Sequence, residues 1–183
     1  MRRPGSAFYP RKVRPFAGMQ CALAEHGFDY PYSYSVIGPI VTWLAAFGAV
    51  VQRDQLVPPG WALLGVGVVL LPHIWFFVNR WIPRTVFAFF TIAGTAIMLA
   101  HPVDGDLAPI LLIAMCTMVA ATSTTQLAVM VTVASTACLI VVAATVGLAG
   151  ASIYVSGVLF GTTVGMIIQN QLRLIEQERS NVE

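Results

Sequence analysis

The sequence predicts an all-α polytopic membrane protein, a six-helix transmembrane bundle whose last helix extends into a cytoplasmic coiled-coil-like rod. Three observations support this fold class. Hydrophobic residues make up 57% of the chain and charged residues only 10%, whereas soluble domains carry roughly 25% charged residues. Long apolar segments recur along the chain, separated by short connectors. The last apolar segment runs into a charged segment without a proline, a glycine or another turn signal.

Residues 1–32 are predicted to form a basic, loosely ordered cytoplasmic tail. The tail lacks the apolar core and the small-residue cleavage site of a secretory signal peptide. Residues 33–168 are predicted to form the transmembrane bundle. A span needs about 20 residues, so the third and fourth of six apolar segments are short. The six segments are Tyr34–Val51, Trp61–Val78, Thr85–Ala100, Leu107–Ala121, Leu127–Val146 and Ala151–Ile168.

Four of the five connectors contain proline or glycine, the strongest turn signals in a sequence. The exception is Thr122–Gln126. A hairpin is nevertheless predicted there, because a single helix over Leu107–Val146 would be about 60 Å long, twice the hydrocarbon thickness of a bilayer. The other four connectors are Gln52–Gly60, Asn79–Arg84, His101–Asp106 and Gly147–Gly150.

The basic residues predict the orientation of the bundle, because lysine and arginine accumulate in cytoplasmic loops. With six spans and both termini inside, nine of the ten basic residues fall on the cytoplasmic side. The tenth, Arg53, lies in the first connector next to Asp54, and the third connector carries Asp104 and Asp106 with no base. The sequence therefore predicts a multi-pass protein of the cell membrane with both termini in the cytoplasm.

The six apolar segments contain no Asp, Glu, Lys or Arg. Charged residues inside a membrane usually belong to ion paths and proton relays, so their absence argues against an ion-coupled transporter. The net charge of +2 is too small to suggest binding to nucleic acid. The spacing of Cys21, Cys116 and Cys138 fits neither a disulfide framework nor a metal site. No catalytic residue and no cofactor are predicted.

Two sets of residues are candidates for sensing. His73, which follows Pro72, is either a pH-responsive switch or ligand contact, or simply a histidine bonded to a neighbour. His101, Asp104 and Asp106 offer ligand types that bind divalent cations. A short loop with proline and glycine is more often a solvated turn, so no metal site is predicted.

Gly157, Gly161 and Gly165 lie on one face of the last segment. Glycines at this spacing let two helix backbones approach closely. The sequence leaves two partners open for this face, a second copy of the chain or another helix of the same subunit.

The segment 169–183 is predicted to begin a cytoplasmic signalling helix. Four apolar residues and Arg179 follow the glycine face at spacings of 4, 3, 4 and 3, the alternation of a coiled-coil seam. This seam favours a parallel homodimer. Its apolar residues are Ile168, Leu172, Ile175 and Val182.

The basic tail, the short-looped apolar spans and the segment Gln169–Arg179 resemble the N-terminal membrane half of actinobacterial sensor histidine kinases, of the kind related to nitrate/nitrite and membrane-fluidity sensors. The resemblance implies a sensor domain of a two-component system. Such a domain relays a bilayer or intramembrane signal through its last helix to a cytoplasmic kinase core or partner protein.

The phosphoacceptor histidine and the nucleotide-binding motifs of that family are not present in the sequence. The resemblance therefore implies no catalytic residue, and kinase activity is expected only if a kinase core follows. The sequence is then expected to be an excised sensor domain or a stand-alone relative. Two alternatives stay open, a small multispanning transporter subunit and a membrane scaffold protein that docks through its rod.

Overall fold

The computed structural model describes residues 32–53, 59–79 and 83–180. In this part of the chain there are six helices and no strand, so the predicted all-α fold is confirmed. Residues 1–31 of the predicted tail, and Val182 of the predicted seam, lie outside the described residues. The helices are α1 (Tyr32–Arg53), α2 (Pro59–Asn79), α3 (Arg84–Leu99), α4 (Ala108–Thr122), α5 (Thr125–Val146) and α6 (Ala151–Ser180).

Each predicted segment corresponds to one helix. The start of every helix and the ends of the first five lie within two residues of the predicted bounds. The last helix runs from Ala151 to Ser180 without a break, which confirms the predicted continuity between the apolar segment and the charged segment.

In the described part of the chain, two helices are long and apolar enough to cross a membrane. They comprise Thr125–Val146 in α5 and Ala151–Leu174 in α6. The other apolar stretches are shorter, and the prediction of six spans is therefore not confirmed by length and composition alone. These stretches are Ile40–Arg53, Gly60–Pro72, Arg84–Leu99 and Ala108–Thr122.

The turn between α4 and α5 forms without proline or glycine, and the predicted hairpin is confirmed. Ser123 leaves the helical conformation, with φ −122° and ψ 177°. Thr124 then caps α5, because its Oγ1 accepts a hydrogen bond of 3.4 Å from the Leu127 N–H. A threonine at this position satisfies one of the free N–H groups at the start of a helix.

Helix α4 is the central helix of the bundle. It packs against α1, α3, α5 and α6, and none of its residues is exposed. A helix that is apolar on all sides is typically buried, and α4 fits this rule. Leu111 and Leu112, on adjacent faces, are both fully buried.

The glycine face of α6 lies against α4 of the same chain. A Cβ atom added at Gly161 would lie 2.6 Å from Thr117 Oγ1 and 3.0 Å from the Ile113 carbonyl oxygen. Gly157 faces the Ile113 side chain, and Gly165 faces the backbone at Thr117. Of the two partners that the sequence left open, the structure places the neighbouring helix of the same subunit on this face.

A second close crossing joins α2 and α3. A Cβ atom added at Gly94 would lie 2.6 Å from the Gly65 carbonyl oxygen and 2.9 Å from the Val69 backbone nitrogen. Both glycines therefore bring the two backbones together. Neither glycine is predicted from the sequence to lie at a helix crossing.

Substitution of Gly161 by alanine tests the α4–α6 crossing. We expect Gly161→Ala to lower the free energy of unfolding by about 1–3 kcal/mol, the cost of overpacking a close contact. Gly67→Ala is the matched control, because a Cβ atom at this exposed α2 glycine has no atom within 4 Å. We expect no loss in the control, since alanine is the better helix former. Denaturant unfolding in detergent micelles measures both, and equal losses would contradict the crossing.

Candidate functional site

Arg53 is buried at the end of α1, with 1% of its surface exposed. Its Nη2 forms an ion pair with Asp106. Its Nε donates to the Met98 carbonyl oxygen at 3.1 Å, and its Nη1 donates to the Ala49 carbonyl oxygen at 3.1 Å. The sequence predicts Arg53 in a connector, whereas α1 extends to include it.

Asp106 is the other half of this ion pair and is equally buried, at 2% exposure. Its Oδ1 accepts a hydrogen bond of 2.8 Å from the Ala108 N–H at the start of α4. A carboxylate at this position also compensates the positive end of the helix dipole. Its backbone carbonyl oxygen accepts a hydrogen bond of 2.9 Å from the Tyr154 hydroxyl in α6.

Gln52 completes the arrangement from the neighbouring position of α1. Its Nε2 donates to the Gly105 carbonyl oxygen at 3.0 Å, and its Oε1 accepts from the Leu107 N–H at 2.9 Å. The chain reverses here with Gly105 at φ 66°, in the left-handed region that favours glycine. We call Gln52, Arg53, Asp106 and Tyr154 the ion-pair cluster. It connects α1, α3, α4 and α6 at one end of the bundle.

The structure separates the three candidate sensing residues of the third connector. Only Asp106 belongs to the ion-pair cluster, whereas His101 and Asp104 are exposed. The His101 ring stands edge-on to Trp61, with ring centres 5.7 Å apart. The described residues contain no group of three His, Cys, Asp or Glu side chains placed to hold a metal ion. The side chain of His73 lies outside the described residues.

A second polar cluster lies between α4, α5 and α6. The hydroxyl groups of Thr132 and Thr162 are 2.7 Å apart and share a hydrogen bond. The Cys116 thiol donates to the Ser135 hydroxyl at 3.4 Å. These residues are buried, so they connect the three helices by bonds that water does not replace.

Helix α6 is therefore hydrogen-bonded to the rest of the bundle at three levels. Tyr154 bonds to the ion-pair cluster, Thr162 bonds to α5, and the Gln169 side chain donates to the Ser123 carbonyl oxygen in the α4–α5 turn. At about 1.5 Å per residue, these levels are spaced by roughly 10–12 Å along the helix. The sequence predicts the helix but not the residues that bond it to the bundle.

The predicted coiled-coil seam is covered only in part by the described residues. Ile168 and Leu172 are half-buried within their own chain. The side chain of Ile175 lies outside the described residues, as does Val182. The seam stays a prediction.

No family model matches the chain, and no curated protein and no solved structure matches it. The resemblance to sensor histidine kinases therefore also stays a prediction.

Neutralising one partner tests the ion pair. We expect Asp106→Asn to lower the free energy of unfolding by about 3–5 kcal/mol, because Arg53 then remains as an uncompensated buried charge. Asp104→Asn, two residues away on the exposed side of the same loop, should change stability by less than about 0.5 kcal/mol. Chemical unfolding followed by tryptophan fluorescence compares the two variants.

Removal of both charges of the ion pair shows whether the loss of stability in Asp106→Asn comes from the unpaired charge of Arg53. The double variant Arg53→Met with Asp106→Asn should be more stable than Asp106→Asn alone, because no buried charge is left unpaired. A double variant as unstable as the single one would contradict the unpaired charge of Arg53 as the cause of the loss.

Proposed function

We propose that the chain is the membrane-embedded sensor domain of a two-component histidine kinase. In this proposal it lies in the cell membrane as a parallel homodimer and crosses it six times, with both termini in the cytoplasm. It relays a bilayer or intramembrane signal through α6 to a cytoplasmic kinase core or partner protein. The observation that carries the proposal is the unbroken helix from Ala151 to Ser180, which is bonded to the ion-pair cluster near its start.

The exposed surface of the bundle supports insertion into a bilayer. Only 33% of the apolar window in α5 and 22% of that in α6 is buried, whereas the core helix of a soluble protein is mostly buried. Large apolar side chains point outward on several helices, and large exposed apolar patches indicate contact with lipid or a partner. Phe47, Phe89 and Phe160 are each exposed by two thirds or more, at 69%, 67% and 71%.

The unequal helix lengths support a response to the bilayer itself. Helix α3, which exposes Val86 and Phe89 to the surroundings of the bundle, has 16 residues, which gives about 24 Å of helix. The apolar parts of α5 and α6 have 22 and 24 residues, or about 33 Å and 36 Å. A bilayer of about 30 Å lies between these values. A change in its thickness therefore acts in opposite senses on the short and the long helices.

The hydrogen bonds at three levels of α6 couple this helix to movements of the rest of the bundle. A shift of the ion-pair cluster acts on Tyr154, while the glycine face and Thr162 keep α6 in register with α4 and α5. The helix then continues past Gln169 into its polar C-terminal part. A movement of the bundle is in this way delivered to residues 170–180.

Cysteine labelling in cells tests the proposed topology. Native cysteines are replaced, and single cysteines are introduced at four exposed positions, Asp104, Gln126, Ala149 and Arg173. We expect a membrane-impermeant maleimide to label Asp104→Cys and Ala149→Cys in intact cells. Gln126→Cys and Arg173→Cys should be labelled only after permeabilisation. Labelling of Asp104→Cys and Gln126→Cys from the same side would contradict the paired spans of α4 and its neighbours.

A spin-label distance measurement tests the proposed response to the bilayer. The full chain carries labels at the exposed Thr85 in the short helix α3 and at Arg173 in the long helix α6, and it is reconstituted in short-chain and long-chain phosphatidylcholine. We expect the distance distribution between the two labels to shift with chain length, because the short and the long helices respond in opposite senses. A label pair at Gln126 and Val129, both at the start of α5, is the control and should not shift.

An unchanged Thr85–Arg173 distribution in all lipids would overturn the bilayer signal. The transporter subunit and the membrane scaffold are the alternatives. Saturable uptake of a solute by vesicles that contain the chain would favour the transporter. Stoichiometric co-purification with a partner, without a self-dimer, would favour the scaffold.

A further inference from the structure

The Ser123 hydroxyl in the α4–α5 turn is buried and has no hydrogen-bond partner in the described part of the chain. Ser123 is only 3% exposed. A buried hydroxyl without a partner is costly and calls for a physical explanation. The hydroxyls of Thr95 and Thr136 share this condition, but both residues lie inside helices. There, rotation of the side chain brings a hydroxyl to the carbonyl oxygen four residues back.

Ser123 makes no such bond within its own helix. Thr91 and Thr117, inside α3 and α4, each donate to the carbonyl oxygen four residues back. Ser123 has left the helical conformation, with φ −122° and ψ 177°, and its hydroxyl is not bonded in this way. The hydroxyl therefore depends on a partner from another element of the fold.

Gln169 of α6 already contacts this residue. Its Nε2 donates to the Ser123 carbonyl oxygen at the end of α4. A glutamine amide carries two N–H donors and a carbonyl acceptor, and a serine hydroxyl both donates and accepts. The carbonyl and hydroxyl oxygens of Ser123 belong to one residue, so a small movement of the amide exchanges one partner for the other.

Gly165, one turn before Gln169, limits the movements that are open to α6. A Cβ atom added at Gly165 would lie 2.7 Å from the Ala120 Cβ and 3.0 Å from the Ala121 backbone nitrogen. Because the two backbones are in close contact, α6 cannot move further towards α4. Rotation of α6 about its own axis stays open, since a glycine has no side chain that interlocks with α4. Such a rotation carries the Gln169 amide across Ser123.

The two bonding positions of the amide are close in free energy. With the amide on the carbonyl oxygen, the Ser123 hydroxyl is unsatisfied. With the amide on the hydroxyl, the carbonyl oxygen loses this bond. Each position leaves one buried polar group of Ser123 without the Gln169 bond, so the two costs nearly cancel. A switch requires two states of this kind, because a ligand or a force exchanges them only if it outweighs the difference between them.

We propose that Ser123 and Gln169 form a two-state switch between the α4–α5 turn and α6. The Gln169 amide binds the Ser123 carbonyl oxygen in the first state, which is the state of this structure, and the Ser123 hydroxyl in the second. Ser123 ends α4 and Thr124 caps α5, so the switch couples the ends of both helices to α6. Because α6 continues without a break to Ser180, residues 170–180 turn with it.

The switch deepens the proposed function and rests on it only for the direction in which a signal travels. It names the contact through which a movement of α4 and α5 reaches the polar part of α6. The exchange between two bonds is a property of the bundle itself, and it occurs without a signal.

Three variants of the full chain test the switch in detergent micelles. Ser123→Ala removes the hydroxyl and leaves only the first state. Gln169→Glu favours the second state, because an ionised carboxylate accepts a hydrogen bond from the hydroxyl but cannot donate to the carbonyl oxygen. Gln171→Glu is the control, since it adds the same charge at an exposed position two residues further on.

Nuclear magnetic resonance relaxation dispersion at the backbone amides of residues 173–177 measures exchange on the microsecond-to-millisecond timescale. We expect exchange in the wild-type chain, its loss in Ser123→Ala and in Gln169→Glu, and its retention in Gln171→Glu. We also expect Ser123→Ala and Gln169→Glu to displace the amide chemical shifts of residues 173–177 in opposite directions, with the wild-type values between them.

Exchange that persists in Ser123→Ala, or that is absent from the wild-type chain, would overturn the switch. Displacement of the chemical shifts in the same direction by Ser123→Ala and Gln169→Glu would also overturn it. Equal loss of exchange in Gln171→Glu would attribute the effect to charge alone and contradict the switch.

The proposed function has separate readouts, namely the maleimide labelling pattern and the Thr85–Arg173 distances in different lipids. A chain that passes these tests but shows no exchange at residues 173–177 would lose the switch alone. A chain that shows the expected exchange but the wrong labelling pattern would keep the switch and lose the proposed function.

Discussion

The buried ion pair between Arg53 and Asp106 fixes the positions of four helices at one end of the bundle. The arginine ends α1 and bonds to the last turn of α3 through the Met98 carbonyl oxygen. The aspartate caps α4 and accepts a hydrogen bond from Tyr154 of α6. A buried pair contributes little net stability, but the loss of one partner is costly because the other charge stays unpaired. We therefore interpret the pair as a device that selects one arrangement of the helix ends.

Close backbone contacts continue this arrangement through the middle of the bundle. In lipid, helices gain nothing from the hydrophobic effect between them, and association depends on packing and hydrogen bonds. The structure supplies both, through Gly161 against α4, Gly94 against α2, and the hydroxyl pair of Thr132 and Thr162. Helix α6 is consequently held to the bundle by one face and remains exposed on the other.

The sequence predicted the helices well because the start and the end of each helix depend on residues that are close together in the chain. Runs of apolar residues form the helices. The α4–α5 turn could be predicted from the thickness of a bilayer, whereas its capping residue, Thr124, was not predicted. The ion pair was not predicted, because its two residues lie 53 positions apart and burial decides their pairing. Likewise, the spacing of Gly157, Gly161 and Gly165 indicates a face for close packing but does not name its partner.

The central claim is that α6 connects the ion-pair cluster to its own C-terminal part. Amide hydrogen exchange in lipid nanodiscs tests it most directly, with the wild-type chain compared with Tyr154→Phe. We expect faster exchange in residues 170–180 as well as in the first turn of α6, because loss of one bond to the cluster loosens the whole helix. Thr145→Val is the control, since that hydroxyl bonds only within its own turn of α5. Faster exchange confined to the first turn of α6 would contradict the claim.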